Sequence, residues 1–409
     1  MRAIFAYRYG ILGGVCTQLI NRLRVLSGGG AIEAHLLFAA DHGISTTLRG
    51  YPHLHFETSP ERVRALVRNG GFDVAVVIDT VEYLTALQGA PEVPLVAEVH
   101  TTVEQGLGYL RERDWAVDGF IVPSEYSRRM LRERFRIPDA DDVRVVPNCL
   151  DMRLFPREDV PAPPDCPVLA WVGKLDDHKN WRGFLKIASK VARREERARF
   201  WLVGGYTTSE ARQVEIVDEM ADRGLIDRCR WFPRIEYEAM HRLYAAVRQS
   251  GGAVVVSSMN ESFGMSVLES LVCGCPVIAT DVGALREIAP AAPYLRFYEY
   301  GDYSGAARMA LELMMDGPEG PLRTMLAADR ARFEERFSAG RVAELYALEL
   351  QRFAHAARRG DTVRSGRRAP DASTSSRAAH GSKLGRSIEK LRRLIAVGRF
   401  AGGRRSDRE

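Results

Sequence analysis

The feature that most constrains the fold is a regular alternation of short, β-branched apolar runs with longer stretches of helical periodicity. The runs cover residues 2–6, 72–78, 94–99, 119–122 and 143–146, and then 168–172, 200–203, 230–232, 253–256 and 276–279. Buried strands that alternate with helices form parallel sheets connected by crossover helices. The sequence therefore predicts an α/β protein built on parallel sheets.

A proline-rich stretch, EDVPAPPDC at 158–166, divides this alternation into two halves. A chain of 409 residues has the length of two to three domains. We predict one domain over 1–157, a second over 166–335, and a disordered basic linker over 358–382. Ligands of open parallel sheets lie beyond the carboxyl ends of the strands, so two such sheets facing each other would enclose a deep cleft.

The net charge of +5 is unevenly distributed. Residues 358–409 carry 15 Lys and Arg against 5 Asp and Glu, which leaves residues 1–357 at −5. A nucleic-acid-binding core carries its positive charge in the folded part, so we expect no specific nucleic-acid partner. Within 383–400, apolar and basic residues recur at the spacing of an amphipathic helix that lies on an anionic membrane surface. A solvated tail and nonspecific RNA binding are the alternatives.

The spacing of the cysteines and the length of the apolar runs indicate the cellular compartment. The six cysteines have no CxxC spacing, which favours neither a disulfide framework nor a zinc knuckle. No apolar run approaches the roughly 18 residues of a membrane span, and residues 1–14 have neither a basic leader nor a cleavage site. We expect a cytoplasmic protein, peripheral at the inner face of a membrane if the tail binds there.

The strongest chemical signal is NESFGMSVLESLVCGCPVIATDVG at 260–283, directly after an apolar strand. Glu261 falls in the strand-to-helix loop and Glu269 in the second turn of the helix, so the two carboxylates can contact different parts of one elongated ligand. Glu269 suits the paired hydroxyls of a ribose, and Glu261 those of a second sugar. Three backbone N–H groups at the helix start form a site for a diphosphate: Phe263, Gly264 and Met265. The alternative is a helix whose acidic residues only complement its dipole.

A second signal is WVGKLDDHKN at 171–180, where Lys174 and Lys179 flank a loop after a strand. Two such cations can neutralise a diphosphate leaving group without a metal, and we therefore expect no metal cofactor. A solvated basic loop is the alternative.

Two weaker signals lie in the first half of the chain. Gly13 and Gly14 separate the first strand from a helix and would let the backbone approach a phosphate or a sugar, although a simple tight turn has the same pattern. His100 follows the strand at 94–99, where a structural histidine is the alternative to a functional one.

Together these segments resemble the retaining glycosyltransferases of family 4, which have the GT-B fold, over nearly all of residues 1–356. The family pattern Glu-x7-Glu falls on Glu261 and Glu269, with its Phe-Gly on Phe263 and Gly264. The family pattern G-R-x4-K-G falls on Gly173, Lys174, Lys179 and Asn180, and the pattern GG-V falls on Gly13, Gly14 and Val15. The strand-end histidine of the family corresponds to His100, and the pattern P-N-G-x-D-x3-F falls on 147–155.

The resemblance implies two facing Rossmann-like domains, with the acceptor in the first and the nucleotide sugar in the second. It also implies a C-terminal helix over 336–356 that packs back across both. In this interpretation the donor diphosphate binds Lys174 and Lys179, and the transferred sugar binds Glu261. The ribose binds Glu269, the base lies near Arg234, and His100 hydrogen-bonds the sugar and aligns the reacting carbon.

Four departures from the family pattern bear on the donor site. Lys174 and Asn180 stand where Arg and Gly are usual, Cys149 replaces a Gly, and Ala284 replaces a common second Gly. A lysine lacks the bidentate fork of arginine but keeps the charge.

The predicted function is transfer of a hexose from a UDP- or GDP-linked donor to a carbohydrate or lipid-linked hydroxyl, with retention of configuration, in glycan or glycolipid biosynthesis. The alternatives are a GT-B nucleotide-sugar epimerase, for which we find no acid/base carboxylates, and a catalytically inactive glycan-binding scaffold.

Overall fold

The structure is a computed structural model that describes residues 1–11, 13–28, 32–88, 92–112, 116–138, 143–206 and 208–359. The amphipathic segment predicted over 383–400 and residues 360–382 of the predicted linker lie outside the described residues. The linker was predicted to begin at 358, but residues 358 and 359 belong to the last helix. None of the described helices is long and apolar enough to span a membrane.

The first half of the chain forms a parallel sheet of seven strands in the order β3-β2-β1-β4-β5-β6-β7. Its strands are β1 (Arg2–Gly10), β2 (Glu33–Asp41), β3 (Leu54–Phe56), β4 (Val74–Ile78), β5 (Leu95–Glu98), β6 (Gly119–Val122) and β7 (Val143–Val145). The helices between them are α1 (Gly14–Gly28), α2 (Ile44–Thr47), α3 (Pro60–Asn69), α4 (Val81–Leu87), α5 (Glu104–Glu112) and α6 (Glu125–Phe135).

The second half forms a parallel sheet of six strands in the order β10-β9-β8-β11-β12-β13. Its strands are β8 (Val168–Val172), β9 (Arg199–Val203), β10 (Cys229–Phe232), β11 (Ala253–Val256), β12 (Val277–Thr280) and β13 (Leu295–Tyr298). The helices are α7 (Trp181–Ala192), α8 (Glu210–Asp222), α9 (Met240–Gln249), α10 (Met265–Val272), α11 (Leu285–Ile288), α12 (Tyr303–Met315), α13 (Pro321–Ala328), α14 (Arg330–Phe337) and α15 (Ala339–Arg359). Short 3-10 turns lie at Met152–Leu154 and Tyr237–Ala239.

The predicted α/β class with parallel sheets is confirmed, and each of the ten predicted runs overlaps a strand. Three further strands, β2, β3 and β13, were missed. β2 (EAHLLFAAD) is rich in Leu and Ala, which favour helices, and has no β-branched residue. β3 has only three residues at a sheet edge, and β13 has four, one of them an arginine.

Both sheets are covered by apolar side chains on their two faces. Along β1, Ile4 and Ala6 belong to one buried cluster while Ala3 and Phe5 belong to the cluster on the opposite face. This is the two-residue period of a strand that is buried on both sides.

The last helix, α15, packs on the first sheet. Its apolar side chains, among them Val342, Tyr346 and Phe353, are buried with Phe5. The helix predicted to begin at Arg336 begins at Ala339, because α14 ends at Phe337 and the next residue is extended. Leu150 pairs with this extended point: its N–H donates to Phe337 O at 2.8 Å and its carbonyl accepts from Ala339 N–H at 2.9 Å. The chain therefore crosses between the two sheets at two adjacent segments.

Each sheet reverses its strand order at one point, between β1 and β4 in the first sheet and between β8 and β11 in the second. Crossover helices leave opposite faces of a sheet at such a point, and the loops after the two strands enclose a crevice. In the second sheet these loops carry Lys174, Lys179 and Glu261.

Candidate active site

The loops after β8 and β11 meet because these strands are neighbours in the sheet. Asn180 Nδ2 donates to Ser257 O at 3.0 Å, and Met259 N–H donates to His178 O at 2.8 Å. Two segments that are about 80 residues apart in sequence therefore form one surface at the carboxyl edge of the second sheet.

Lys179 and Glu261 form the centre of this surface. Lys179 Nζ lies 2.6 Å from Glu261 Oε1, and Ser258 Oγ donates to the same oxygen at 2.6 Å. The Glu261 side chain is 10% exposed and that of Lys179 30%. An ion pair that is only partly in water keeps more of its electrostatic strength than a surface pair. The pair therefore offers one cation and one hydrogen-bond acceptor to a ligand in the cleft.

Asn180 explains one departure from the family pattern. Its backbone is left-handed, with φ 51°, a conformation that glycine adopts freely and that asparagine tolerates better than most side chains. Its Oδ1 also caps α7 by accepting from Gly183 N–H at 3.1 Å. Asn180 therefore keeps the backbone geometry of a glycine and adds a helix cap.

The start of α10 depends on Gly264. This residue has φ +105°, and a Cβ on it would lie 2.4 Å from Leu285 Cδ2. In this described part of the chain no side chain caps α10. The backbone N–H groups at this helix start are therefore available for an anionic ligand.

Gly283 supports the loop that carries Glu261. It has φ +60°, and a Cβ there would come within 2.1 Å of Glu261 O, which accepts a hydrogen bond from Ala284 N–H at 2.9 Å. Ala284 itself has φ −89°, so no glycine is needed at that position. The loop conformation therefore explains why residue 283 is a glycine and why residue 284 can depart from the family pattern as an alanine.

Glu269 is nearly buried in the second domain. It is 7% exposed and accepts a hydrogen bond from Tyr244 Oη at 2.9 Å. Burial raises the pKa of Glu269 to about 7, although hydrogen bonds from Tyr244 and Tyr237 act in the opposite direction. This carboxyl therefore changes its charge near neutral pH.

His100 belongs to the opposite wall of the cleft, in the loop after β5. Its Nε2 lies 2.6 Å from Glu98 Oε1, and its backbone N–H donates to Asp79 Oδ1 at 3.0 Å. Two residues further on, Thr102 Oγ1 lies 3.5 Å from His178 Nε2 of the second domain. The loop of His100 therefore contacts the loop of Lys179.

The glycine pair lies at the start of α1, a helix that contacts the second domain. A Cβ on Gly13 or Gly14 would meet no described atom within 4 Å, so the fold itself does not require glycine there. One turn further along, Gln18 Nε2 contacts Met265 Sδ at 2.8 Å, at the start of α10. The Gln18 amide also pairs with the backbone of Cys149, donating to its carbonyl at 2.9 Å and accepting from its N–H at 2.5 Å.

The two remaining predicted cations lie in different places. Lys174 is exposed, and its charge acts on the Cys16 thiol of α1, where it opposes the rise in pKa that burial causes. Arg234 is paired with Glu236, Nε to Oε1 at 2.9 Å, and lies over the ring of Tyr206 at 5.2 Å. Among the described contacts, Arg234 thus joins a surface cluster two strands away from β8 and touches neither Lys179 nor Glu261.

Sequence reasoning missed Asp79. It follows β4 directly, is a non-glycine residue with φ 42°, and holds the backbone of His100. Burial raises the pKa of Asp79 to about 6, with the nearby His100 acting in the opposite direction. A buried, ionisable side chain on a strained backbone is a common feature of functional sites. The available signal was an aspartate directly after an apolar strand, VAVVID.

One group of described side chains has the spacing of metal ligands: Glu33, His35 and His53. Glu33 begins β2, so the group lies at the edge of the sheet opposite the cleft. Arg2 contacts two of its members, with Nε 3.1 Å from Glu33 Oε1 and Nη2 3.2 Å from His35 Nε2. The group is not part of the candidate active site.

Two parallel sheets whose carboxyl-end loops meet, with cationic and carboxylate side chains at those strand ends, define a protein of the GT-B fold. Two family models match consecutive parts of the chain: Glycosyltransferase Family 4 over residues 24–154 and Glycosyl transferases group 1 over residues 153–293. Together they cover about two thirds of the 409 residues. The chain belongs to the family 4 glycosyltransferases of the GT-B fold.

The relatives agree with the family, and the solved structures agree with the fold. The chain is 29% identical over 271 residues to a D-inositol 3-phosphate glycosyltransferase of Nocardia farcinica. The aligned region covers 62% of this chain and 57% of that protein. The chain thus spans little more than half the length of that relative. Sucrose-phosphate synthase from Thermosynechococcus elongatus superimposes with a TM-score of 0.71 at 19% identity, over 87% of this chain and 99% of that one. The Anabaena protein HepE in complex with UDP-glucose gives 0.72 at 17% identity, over 86% and 100%.

Proposed function

We propose that the protein transfers a hexose from a nucleoside-diphosphate sugar to a hydroxyl acceptor with retention of configuration. The observation that carries the proposal is the Lys179–Glu261 pair beside the start of α10. It joins a cation and backbone N–H groups for a diphosphate to a carboxylate for sugar hydroxyls.

In this proposal the donor lies across the carboxyl edge of the second sheet. Its diphosphate contacts Lys179 and the N–H groups of Phe263, Gly264 and Met265, with Lys174 at the outer side. The sugar hydroxyls donate to Glu261, and the ribose hydroxyls donate to Glu269. This order follows the loop and then the first turns of α10, where Glu269 lies about 6 Å along the helix from Met265.

The chemical step exchanges one bond to the anomeric carbon for another on the same face of the sugar. The bond from that carbon to the diphosphate oxygen breaks, and the acceptor oxygen forms the new bond. The acceptor proton passes to the leaving diphosphate oxygen. Lys179 and the N–H groups of α10 stabilise the charge that develops on this oxygen, and His100 aligns the sugar from the opposite wall.

The donor nucleotide is proposed to be UDP or GDP. UDP is supported by the fold similarity to HepE, which is described with UDP-glucose. The acceptor, a carbohydrate or a lipid-linked hydroxyl, would bind to the first domain near the ends of β1, β4 and β5, where Asp79 and His100 lie. A role in glycan or glycolipid biosynthesis and a cytoplasmic location belong to the same proposal.

A donor screen tests the proposal. Purified full-length protein is incubated with UDP- and GDP-linked hexoses and a panel of hydroxyl acceptors, and the release of nucleoside diphosphate is measured. Release that depends on donor and acceptor, with an NMR spectrum showing that the product keeps the donor's anomeric configuration, is expected. An epimerase would change the sugar with the nucleotide still attached, and a glycan-binding scaffold would release no nucleotide from any donor.

A further inference from the structure

A buried polar cluster lies behind His100, and the proposed function does not account for it. Glu98, the last residue of β5, is 1% exposed and uses both carboxylate oxygens. Its Oε1 accepts from His100 Nε2 and from Arg22 Nη1, each at 2.6 Å, and its Oε2 accepts from Tyr346 Oη at 2.5 Å. Arg22 comes from α1 and Tyr346 from α15, so three elements distant in sequence meet at one carboxylate.

The charge of Glu98 determines which protons its partners hold. Burial alone would raise the pKa of Glu98, but the Arg22 charge and the hydrogen bonds from His100 and Tyr346 hold it well below its ordinary range. An ionised carboxylate only accepts hydrogen bonds. His100 must therefore carry a proton on Nε2, and in the neutral ring Nδ1 is then the nitrogen that can accept a hydrogen bond.

His100 is thereby fixed at two points. Its ring is held by Glu98, and its backbone N–H is held by Asp79 at 3.0 Å. Arg22 is itself 1% exposed and lies 4.4 Å from the centre of the Tyr346 ring, so it does not reach the cleft. The cluster can act on a ligand through His100.

Stabilisation of the fold does not by itself explain why such a buried charged cluster is present. Taking two charges out of water costs several kcal/mol per ion, and replacing a buried ion pair by apolar side chains of similar size is often neutral or stabilising. Residues that orient a functional histidine are a recurrent use of buried carboxylates.

We infer that Glu98 is a positioning residue that fixes the tautomer and direction of His100, and that α15 completes this arrangement through Tyr346. The inference rests on the proposed function, because it assigns His100 a ligand in the donor site. It also means that the C-terminal helix contributes to the candidate active site through His100, without touching a substrate.

A double-mutant cycle on full-length protein tests the inference through turnover. Glu98→Gln should lower kcat by about 10- to 100-fold, as is typical when the partner of a functional histidine is removed, with little change in nucleoside-diphosphate affinity. In a His100→Ala background the same change should lower kcat less than about threefold, since Glu98 acts through the ring. An equal loss in both backgrounds would show a purely structural role and overturn the inference.

Three further variants separate the positioning role from effects on folding. Glu98→Gln leaves the Arg22 charge without its partner, whereas Arg22→Met with Glu98→Met removes the pair together and should stay folded with the same loss of kcat. Tyr346→Phe should lower kcat severalfold. Tyr51→Phe is its matched control: it loses one hydroxyl that donates to Ala34 O in the same domain, and its kcat should not change. Equal kcat in both Tyr variants and wild type would contradict the role of α15.

The ring itself gives a readout independent of turnover. With ¹⁵N-labelled histidine, NMR should show wild-type His100 as one tautomer with its proton on Nε2, and both tautomers in the Arg22→Met/Glu98→Met variant. Unchanged tautomer populations would overturn the inference. If wild-type protein released no nucleotide from any donor, the proposed function would fail while this measurement still decided whether Glu98 fixes the ring.

Discussion

Lys179 Nζ lies 2.6 Å from Glu261 Oε1, so the two groups proposed to bind neighbouring parts of the donor also neutralise each other. A diphosphate must compete with Glu261 for the Lys179 charge. The sugar hydroxyls in turn bind a carboxylate that Lys179 and Ser258 already orient. The two residues should therefore respond differently to substitution.

Glu261→Gln should separate binding from transfer. The change releases Lys179 from its ion pair, so nucleoside-diphosphate affinity should stay equal or rise severalfold. Transfer should fall by about 10²-fold or more, because a charge at the transition-state site is lost. Calorimetry and nucleotide release measure the two quantities. A parallel loss of affinity and turnover would contradict the assignment of Glu261 to the sugar.

Lys179→Ala should instead lower both quantities, since the cation serves the diphosphate in the ground state and in the transition state. Lys190→Ala is the matched control, because this exposed lysine lies near the end of α7, away from the cleft. Circular dichroism should show both variants folded. Wild-type turnover in folded Lys179→Ala would place the donor site elsewhere.

Donor binding should depend on pH through Glu269. Ribose hydroxyls donate to a carboxylate, and burial raises the pKa of Glu269 to about 7. Nucleoside-diphosphate affinity should therefore increase as pH rises from about 6 to 8, and this increase should be weaker in Glu269→Gln. The same pH dependence in the variant would show that another group causes it.

The raised pKa of Glu269 also determines the direction in which the free energy of unfolding changes with pH. Between the ordinary pKa of about 4.5 and the folded value of about 7, the native state binds more protons at Glu269 than the unfolded chain does. The free energy of unfolding should therefore fall as pH rises through this window and change no further above it. Glu269→Gln should remove this part of the slope in denaturant titrations.

Gly264→Ala tests the start of α10. The new Cβ would lie 2.4 Å from Leu285 Cδ2 at a φ of +105°, so the helix start must shift and donor affinity should fall. Gly224→Ala is the control, because it has φ +66° with no described atom within 4 Å of the Cβ. It should cost about 1 kcal/mol of stability from the left-handed backbone alone and leave affinity unchanged. Equal affinity in the two variants would mean that the helix start does not bind the diphosphate.

The sequence predicted the second domain better than the first. The proximity of Lys179 and Glu261 was predictable, because their loops both follow strongly apolar, β-branched strands. Ligands bind at the ends of such strands where the strand order reverses. β2 was not predictable in this way, since its Leu- and Ala-rich sequence reads equally well as a helix.

The first-domain wall of the site could be predicted only in part. His100 was identified as a strand-end residue, but the sequence did not reveal that Arg22 and Tyr346 lie beside Glu98. Such partners are 76 and 248 residues apart and depend on the packing of α1 and α15 against β5. Local patterns contain no information about that packing.

Activity should persist in excess chelator. In the proposed function Lys174 and Lys179 take the place of the divalent cation that other diphosphate sites hold, and the described group with metal-ligand spacing lies at the opposite sheet edge. Turnover is measured with EDTA and after adding Mg²⁺ or Mn²⁺. Loss of turnover in EDTA that either ion restores would contradict the proposal of a metal-independent reaction.

The basic tail should bring the protein to anionic membranes. Leu384, Ile388, Leu391 and Ile395 recur at steps of four, three and four among basic residues, the pattern of a helix lying in a membrane surface. Each Lys or Arg near such a surface contributes about 1 kcal/mol, and this attraction is screened by salt. An enzyme with a lipid-linked acceptor would gain local substrate concentration from this placement.

Sedimentation with vesicles measures this binding. Full-length protein should pellet with vesicles rich in phosphatidylserine at low salt, less so at high salt, and little with neutral phosphatidylcholine vesicles. A variant that ends at Ala357 retains nearly all of α15 and should stay in the supernatant while keeping its activity on water-soluble acceptors. Equal pelleting of the two proteins would show that the tail is not responsible for membrane binding, because the membrane contact would then lie within residues 1–357.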